Sequence, residues 1–367
     1  MSMRVAVGQG ARATEEYLSF ASQLGVTGVQ FNTPDIAGER RWELADLLRL
    51  RERVESYGLV LEAIENIPNQ FYEKCMFGLP GRDEELDNVA ATVRNMGKAG
   101  IKVLGFHWMP TSVWRTRLAP FGRGGALVSA FDLSTAQSAD QAANIFIARR
   151  DRRAEDEKDS WSRGAQFEVP APMDDRQMWS NYQYFVHALV PVAEEAGVKM
   201  ALHPDDPPVP TLAGVARIFR SVDALKQAAE ISPGPGFGIE LCLGTISEMG
   251  GEEAVLDAIR YLVPRDKVGY VHLRDVKGTV PTFVECFLGE GNYNPARVVR
   301  ELGRCGYEGF ILDDHTPALV GDSAYGHRGR AFALGYIQGL IQMLDFDDAH
   351  ERAPSKGASA RRDEGCR

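Results

Sequence analysis

The chain has 367 residues, is 44% hydrophobic and carries a formal net charge of −10, as expected for a globular protein with either one large domain that carries insertions or two small domains. The acidic balance excludes a general nucleic-acid-binding surface, because no surplus of cations can neutralise phosphates. No apolar run approaches the length of a membrane span, and the N-terminus lacks a signal-peptide layout, so a cytoplasmic protein without membrane contact is expected.

Short apolar runs alternate with amphipathic helical patterns through the first half of the chain. Strands one to four are predicted over 3–8, 26–32, 59–65 and 100–107. Helices are predicted over 13–25, 39–58 and 84–96, and the first two end at a glycine, which is typical of a helix C-terminus.

A long insertion follows strand four, over about residues 111–176, and includes a charged helical stretch at 147–164. The stretch is interpreted as a solvated helix face, with a lid over the site or a dimer contact as the functional alternative. A helix over 177–197 then restores the alternation. Strands five to eight follow over 198–203, 236–242, 267–273 and 309–314. The tail over 346–367 is polar and is predicted to be disordered.

Eight strands alternating with helices indicate a parallel sheet, and eight is the number that closes a (β/α)₈ TIM barrel. We therefore predict one barrel domain over 1–345 that carries the insertion. A doubly wound open sheet is the alternative, but no GxGxxG turn follows the first strand.

Four potential metal ligands stand at the ends of the last four predicted strands: His203, Cys242, His272 and Asp314. The strand ends of such a barrel face one mouth, so the sequence predicts a metal site there. Mixed nitrogen, sulfur and oxygen donors suit Mn²⁺, Fe²⁺, Co²⁺ or Zn²⁺. The five cysteines are odd in number and share no compact spacing, which argues against a disulfide framework and favours a reducing compartment.

Four further side chains are candidates for substrate contacts. Glu65 and His107 end strands three and four, and Arg274 could clamp a carboxylate with its guanidinium fork. The alternative for Arg274 is a salt bridge to a barrel carboxylate. Asp205, like its neighbour Asp206, either serves the site next to His203 or caps the loop before Pro207.

At these residues the chain resembles the mannonate dehydratase family of xylose-isomerase-like barrels. The resemblance extends from about residue 15 to about 343. It depends on GVTGVQ, GLVLEAIENIP, NMGKAGIKVLGFHWMP and TSVWRTRL in the first half, and on LHPDDPP, LCLGT, VHLRD, FVECFLGEG, DDH and SAYG in the second.

The resemblance implies a hydro-lyase that converts D-mannonate, a small sugar acid, into 2-keto-3-deoxy-D-gluconate. It implies one divalent metal ion, usually Mn²⁺, bound by His203, Cys242, His272 and Asp314. It also implies proton transfer by His315 and Tyr325, and a homo-oligomer.

Several positions depart from the family pattern. The first strand, MRVAVGQG, lacks the family's Arg-Trp-Tyr, and Leu312 replaces an arginine two positions before the ligand aspartate. Thr316 replaces a glycine, and His107 replaces an asparagine. The departures leave open a different or modified aldonic acid as substrate, a metal-dependent sugar isomerase or epimerase on the same barrel, and a non-catalytic sugar-binding barrel.

Overall fold

The computed structural model describes residues 3–136 and 172–351, with side chains described up to residue 347. The described chain has fourteen strands: β1 (Arg4–Gly10), β2 (Gly28–Asn32), β3 (Val60–Glu65), β4 (Val103–His107), β5 (Arg117–Ala119), β6 (Val128–Asp132), β7 (Lys199–His203), β8 (Thr211–Leu212), β9 (Val215–Ala216), β10 (Phe237–Cys242), β11 (Val268–Leu273), β12 (Asp275–Lys277), β13 (Thr282–Cys286) and β14 (Phe310–Asp313). Eight of them form a closed parallel barrel in the order β1-β14-β11-β10-β7-β4-β3-β2. The predicted (β/α)₈ barrel is confirmed.

Helices surround the barrel and pack their apolar faces against the strands. The described helices are α1 (Glu15–Gln23), α2 (Leu44–Glu55), α3 (Glu73–Phe77), α4 (Arg82–Lys98), α5 (Leu133–Ala136), α6 (Asp175–Ala196), α7 (Val222–Ile231), α8 (Leu243–Leu262), α9 (Pro295–Arg304) and α10 (His327–Glu351). Helix α6 begins two residues before its predicted start, because Asp174 and Gln177 form a capping box. Gly197 ends it in the left-handed region, at φ 65°.

The described part of the insertion forms strands, where the sequence predicted helix and loop. β5 and β6 join β12 and β13 in a four-stranded antiparallel sheet of order β12-β13-β6-β5. Phe131 on β6 stacks on Phe283 on β13, with ring centroids 5.6 Å apart. β6 pairs with its sequence neighbour β5 and with β13, which lies far along the chain, so no local pattern indicated the whole sheet. The charged stretch 147–164 lies outside the described residues.

The last helix extends beyond the predicted domain boundary at residue 345. α10 continues to Glu351, and Asp347 pairs with Arg300 on α9 at 3.1 Å between Oδ2 and Nη2. This ion pair ties the end of α10 to the neighbouring helix, so helical structure continues six residues beyond the predicted boundary. The remainder of the tail lies outside the described residues.

Candidate active site

The barrel mouth brings three of the four predicted metal ligands together. His203 and Cys242 end β7 and β10, and His272 is the penultimate residue of β11. One ligand atom from each lies within 4.8 Å of the other two, and all three residues are buried. Neighbouring strands are in register here, since Cys242 pairs with His272. We call these three residues and Asp314 the ligand cluster.

Asp314 follows β14 and reaches the same cluster. Its Oδ2 lies 3.6 Å from the Cys242 sulfur and 3.9 Å from His272 Nδ1. Burial raises the pKa of this carboxyl, but the charges of His315 and Arg274 outweigh burial and hold it well below its usual range. Asp314 is therefore ionised, as a ligand for a divalent cation must be.

The tautomer of His203 is set by the backbone carbonyl of the next residue, Pro204. Nδ1 lies 2.6 Å from the carbonyl oxygen of Pro204, so Nδ1 carries the hydrogen and donates it. Nε2 therefore has the lone pair, and it is the ring nitrogen that lies nearest to Glu240 in the cluster, at 3.6 Å from Oε1. This arrangement is typical of a metal-binding imidazole, whose second nitrogen is held by a carbonyl or carboxylate.

Cys242 has the electrostatic setting of a thiolate. Burial raises its pKa, but the charge of Arg274 and the proximity of the His203 and His272 rings outweigh burial and lower it to about 6. The Thr245 hydroxyl also donates to the sulfur at 3.2 Å. Cys242 is thus ionised near neutral pH, in the form that binds metals.

His272 is the member of the cluster whose hydrogen bonding is incomplete. Both ring nitrogens are buried, and neither has a hydrogen-bond partner of good geometry within the described chain. Two carboxylates lie close: Glu240 Oε1 is 3.0 Å from Nδ1, and Glu65 Oε2 is 3.1 Å from Nε2. Burial lowers the pKa of His272, and the charges of Glu240 and Glu65 raise it well above its ordinary value.

A divalent ion fits these residues. Buried nitrogens without hydrogen-bond partners are costly, and a cation would satisfy them. The donor set of two imidazoles, a thiolate and a carboxylate matches first-row transition metals. The arrangement therefore agrees with the metal site that the sequence predicted.

Glu65 ends β3 inside a set of amide donors. Its carboxylate accepts hydrogen bonds from Gln30 and from Asn32, the latter at 3.1 Å. Burial raises its pKa to about 7, with the charge of Glu240 adding to the shift. Glu65 is only 2% exposed and lies against His272, so it contacts the ligand cluster from below the mouth.

His107 and Asp205 occupy different settings. His107 ends β4 in register with His203, and its Nδ1 accepts from the Met109 amide at 3.2 Å. Burial lowers its pKa to about 3, so the ring is neutral and its Nε2 is a donor. Asp205 accepts from the Phe219 amide at 2.6 Å and is fully buried, which favours the loop-capping alternative.

Arg274 lies in a buried cluster of charges beside the ligand cluster. It contacts Asp206 and Glu248, each at 3.0 Å, and its Nε lies 3.4 Å from Asp314. Arg115, from the insertion, binds Asp206 with both terminal nitrogens. The guanidinium of Arg274 is thus engaged by protein carboxylates, which favours the salt-bridge alternative over a free clamp.

His315 lies between this charge cluster and the ligand cluster. Its Nδ1 is 2.7 Å from Glu285 Oε1, and its Nε2 is 3.7 Å from Asp314 Oδ1. Burial lowers the pKa of His315, but Asp314 and Glu285 outweigh burial and raise it. The geometry places an imidazole able to move a proton directly beside the ligand cluster.

Tyr325 packs beside the second half of β1. Its hydroxyl donates to the Gly8 carbonyl at 2.7 Å, and its ring packs edge-on against Tyr17. The guanidinium of Arg330 lies 4.5 Å from the ring centroid, and the same arginine pairs with Asp313. Arg330 therefore links Tyr325 to Asp313, and Asp313 directly precedes Asp314 of the ligand cluster.

Two departures from the family pattern meet in space. Leu312 on β14 is fully buried, and a Cβ atom added to Gly8 on β1 would lie 2.3 Å from its Cδ1. A longer side chain at either position requires the other to move. The altered first strand and the missing arginine therefore belong to one wall of the barrel, between β1 and β14.

Sequence reasoning missed three buried carboxylates of the site: Glu240, Glu248 and Glu285. A signal existed for Glu240, since a residue two positions before a strand-end ligand points to the same face of the strand. Glu285 lies on β13 of the four-stranded antiparallel sheet, here called the insertion sheet, and no local sequence pattern indicates that this sheet packs on the barrel. Glu248 lies within α8, where a glutamate is usually part of an exposed helix face, so nothing in the sequence indicated that it belongs to the site.

A closed (β/α)₈ barrel with a buried N/S/O ligand cluster at its mouth defines the class: a TIM barrel with a candidate divalent-metal centre. A family model described as D-mannonate dehydratase (UxuA) matches residues 1–351. The mannonate dehydratase of Thermotoga neapolitana is 32% identical over 334 residues, which cover 87% of this chain and 90% of that protein. The mannonate dehydratase of Lactococcus lactis subsp. cremoris is 29% identical over 358 residues, which cover 92% and 97%.

The chain belongs to the mannonate dehydratase family of hydro-lyases, which is metal-dependent. The crystal structure of mannonate dehydratase from Streptococcus suis serotype 2 superposes with a TM-score of 0.79 at 27% identity, over 100% of this chain and 99% of that chain. An L-ribulose 3-epimerase superposes with a TM-score of 0.57 at 14% identity and shares the fold alone. Among the described helices, none is both long and apolar enough to cross a membrane.

Proposed function

We propose that this protein removes water from D-mannonate and releases 2-keto-3-deoxy-D-gluconate, using one divalent ion. The observation that carries the proposal is the convergence of His203, Cys242, His272 and Asp314 at one barrel mouth, in a chain of the mannonate dehydratase family. The reaction takes the proton from the carbon next to the carboxylate and the hydroxyl from the following carbon. The resulting enol then becomes the keto acid.

The ligand cluster would hold the ion, and Mn²⁺ is the ion that we propose. Carboxylates suit Mn²⁺, while the thiolate and imidazoles also accept Fe²⁺, Co²⁺ or Zn²⁺. When bound, the ion acts as a Lewis acid and offsets the negative charge that develops beside the substrate carboxylate. The pKa of Cys242, about 6, keeps the thiolate available at neutral pH.

His315 and Tyr325 are the proposed proton-transfer groups. Nδ1 of His315 lies 2.7 Å from Glu285 Oε1 and 3.0 Å from Arg274 Nη1, and the shorter contact favours the form in which Nδ1 carries a hydrogen that Glu285 accepts. Nε2 is then the nitrogen that exchanges a proton with the substrate. Tyr325 can take part once its hydroxyl leaves the Gly8 carbonyl on substrate binding.

The proposed substrate contacts differ in kind. His107 is neutral and presents a donor from the end of β4, in register with His203. Glu65 supports His272 from below. Arg274 holds Asp206 and Glu248 with its terminal nitrogens, and its Nε, which lies 3.4 Å from Asp314 and has no hydrogen-bond partner in the described chain, is the donor that we propose for the substrate. Asp205 fixes the loop after His203 and is proposed to act on the substrate only through that histidine.

The proposed setting is a reducing cytoplasm, because a thiolate ligand such as Cys242 is lost on oxidation. Four cysteines, namely Cys75, Cys242, Cys286 and Cys305, are free in the described chain. A small sugar acid is the partner that the family implies. A homo-oligomer stays a prediction.

The test is a keto-acid assay on Mn²⁺-loaded protein with a panel of five- and six-carbon aldonic acids. Semicarbazone absorbance measures the keto acid that dehydration releases. We expect turnover of D-mannonate, which would also show that Leu312 is tolerated in place of arginine. Turnover of another acid alone would reassign the substrate. No turnover of any acid by metal-loaded protein would contradict the proposal and direct the search to isomerisation or epimerisation of neutral sugars.

A further inference from the structure

Glu240 faces the ligand cluster from inside the barrel. It lies two residues before Cys242 on β10, so both side chains point to the same face of the strand. Its Oε1 is 3.0 Å from His272 Nδ1 and 3.6 Å from His203 Nε2. Nε2 is the lone-pair nitrogen of His203, and Nδ1 is the nitrogen of His272 that faces Asp314.

The two oxygens of Glu240 are not equivalent. Oε2 accepts a hydrogen bond from the Tyr270 hydroxyl at 2.6 Å. Oε1 is buried and has no hydrogen-bond partner of good geometry anywhere in residues 3–136 or 172–347. A buried carboxylate oxygen without a hydrogen-bond partner is costly, and the two ring nitrogens beside it belong to proposed metal ligands. Tyr270 thus holds the carboxylate with Oε1 directed at the cluster.

The separations are those of ligands on a shared ion. Nitrogen and oxygen ligands that each lie about 2.1 Å from one metal are about 3.0 Å apart at right angles and about 3.4 Å apart in a tetrahedron. The observed 3.0 and 3.6 Å agree with these values. Glu65 differs, because it approaches the opposite nitrogen of His272, Nε2, and accepts hydrogen bonds from Gln30 and Asn32.

We infer that Glu240 supplies a further carboxylate ligand to the ion, in addition to His203, Cys242, His272 and Asp314. This inference rests on the proposed function and deepens it. A second carboxylate and a fifth protein ligand favour an ion that accepts oxygen and more than four ligands, such as Mn²⁺. Zinc with thiolate and imidazole ligands favours four-coordinate sites. Glu240 is thereby a determinant of metal choice.

Two substitutions separate ligation from charge. Glu240→Gln removes the charge and leaves a neutral oxygen in place. Glu240→Asp keeps the charge but withdraws the oxygen by one methylene, about 1.5 Å. Glu65→Gln is the matched control, because it changes a buried carboxylate on the other nitrogen of the same histidine. Circular dichroism and thermal unfolding of the metal-free proteins establish that each variant folds.

The readouts are Mn²⁺ and Zn²⁺ affinities, measured by competition with a chelator, and the visible absorption of the Co²⁺-loaded protein. We expect both Glu240 variants to lose more than about 100-fold in Mn²⁺ affinity, beyond the 10- to 100-fold loss typical of removing a group that orients a ligand. Zn²⁺ affinity should fall less. The cobalt bands should intensify, as expected for a lower coordination number, whereas Glu65→Gln should leave their shape unchanged.

Three results would overturn the inference. One is wild-type affinity and an unchanged cobalt spectrum in both Glu240 variants. Another is wild-type affinity in Glu240→Asp alone, which would make Glu240 a source of charge and not a ligand. The third needs no variant: intense four-coordinate cobalt bands in the wild type. If the wild type binds no divalent ion, the proposed function itself fails, so the two failures are distinguishable.

Discussion

Cys242 is the residue that most restricts the chemistry of the site. A thiolate selects first-row transition metals and disfavours Mg²⁺ and Ca²⁺, which bind oxygen. The charge of Arg274 and the proximity of the His203 and His272 rings hold the Cys242 pKa at about 6 against the opposing effect of burial. At neutral pH the sulfur is therefore ionised without a large cost.

Cys242→Ser should lose metal and activity together, because a hydroxyl does not ionise at neutral pH and cannot replace the thiolate. We expect at least a 100-fold weaker metal affinity, measured by equilibrium dialysis, with a parallel loss of turnover. Cys305→Ser is the matched control, since Cys305 is a half-buried thiol at the end of α9 on the outer layer. A Cys242→Ser protein with normal metal content would contradict the assigned ligand.

Glu285→Gln should retain metal but lose turnover, because the neutral amide oxygen accepts from Nδ1–H more weakly than a carboxylate and removes the negative charge that stabilises protonated His315. We expect kcat to fall by about 10²- to 10⁴-fold, the usual contribution of a positioned acid or base. Steady-state kinetics with metal analysis measures both effects. Glu290→Gln is the control, since Glu290 is more exposed and pairs with Arg123 at 2.7 Å. Equal kinetics in Glu285→Gln and wild type would remove Glu285 from the mechanism.

Tyr325→Phe separates a catalytic hydroxyl from a structural one. If the hydroxyl transfers a proton, kcat falls about 10²-fold or more while metal content is unchanged. A hydroxyl that only donates to the Gly8 carbonyl is worth about 1 kcal/mol of stability, with no effect on kcat. We expect the first result in the keto-acid assay. Full activity together with a lowered unfolding temperature would show that Tyr325 is structural.

The sequence predicted residues that end strands, but not residues whose neighbours come from distant segments. His203, Cys242, His272 and Asp314 could be predicted because the ends of parallel barrel strands must meet. The contact between Glu285 and His315 could not, since it needs the insertion sheet to pack on the mouth. The orientation of Glu240 could not be predicted either, because it depends on the hydrogen bond from Tyr270 on the neighbouring strand, which leaves Oε1 facing the cluster.

At the scale of elements, buried ion pairs attach the insertion to the barrel. β5 and β6 pair with β12 and β13, and Arg115, two residues before β5, binds Asp206 and Glu285. Asp206 follows β7, so one guanidinium joins the insertion, the barrel and β13. Arg115 is fully buried, and removing one partner of a buried ion pair leaves the others uncompensated.

Arg115→Lys should destabilise the protein although it keeps the charge, because an ammonium cannot reproduce the fork that binds both oxygens of Asp206. We expect a loss of about 2–4 kcal/mol in the free energy of unfolding, measured with urea. Arg117→Lys on β5 is the control, since Arg117 is exposed and its change should stay within about 0.5 kcal/mol. An Arg115→Lys protein as stable as wild type would show that the fork is not needed.

The barrel strands followed from the sequence to within a few residues, because each combines a buried apolar run with a polar end. The insertion sheet did not, since β5 has 3 residues and pairs only with a strand that itself needs β13. The continuation of α10 past residue 345 was also missed. The end of this helix is polar and is held by one ion pair, between Arg300 and Asp347, so its composition does not differ from that of a disordered tail.

At the scale of the whole molecule, the buried arginines of the site are balanced by buried acids. The chain carries −10, and Arg115 and Arg274 are buried against Asp206, Glu248 and Glu285 beside the mouth. The protein charges there offset one another, so a bound divalent ion would supply the positive charge that attracts an anionic sugar acid. An acidic composition argues against a nucleic-acid partner without arguing against an anionic substrate.

The most direct test of the account is a metal titration of turnover with D-mannonate. Protein stripped of metal should be inactive, and added Mn²⁺ should restore keto-acid formation until one ion is bound per chain, measured by elemental analysis of the same samples. In D₂O the product should carry one deuterium on the carbon that lost the hydroxyl. Turnover by metal-free protein, or a metal-saturated protein that leaves D-mannonate unchanged, would contradict the account.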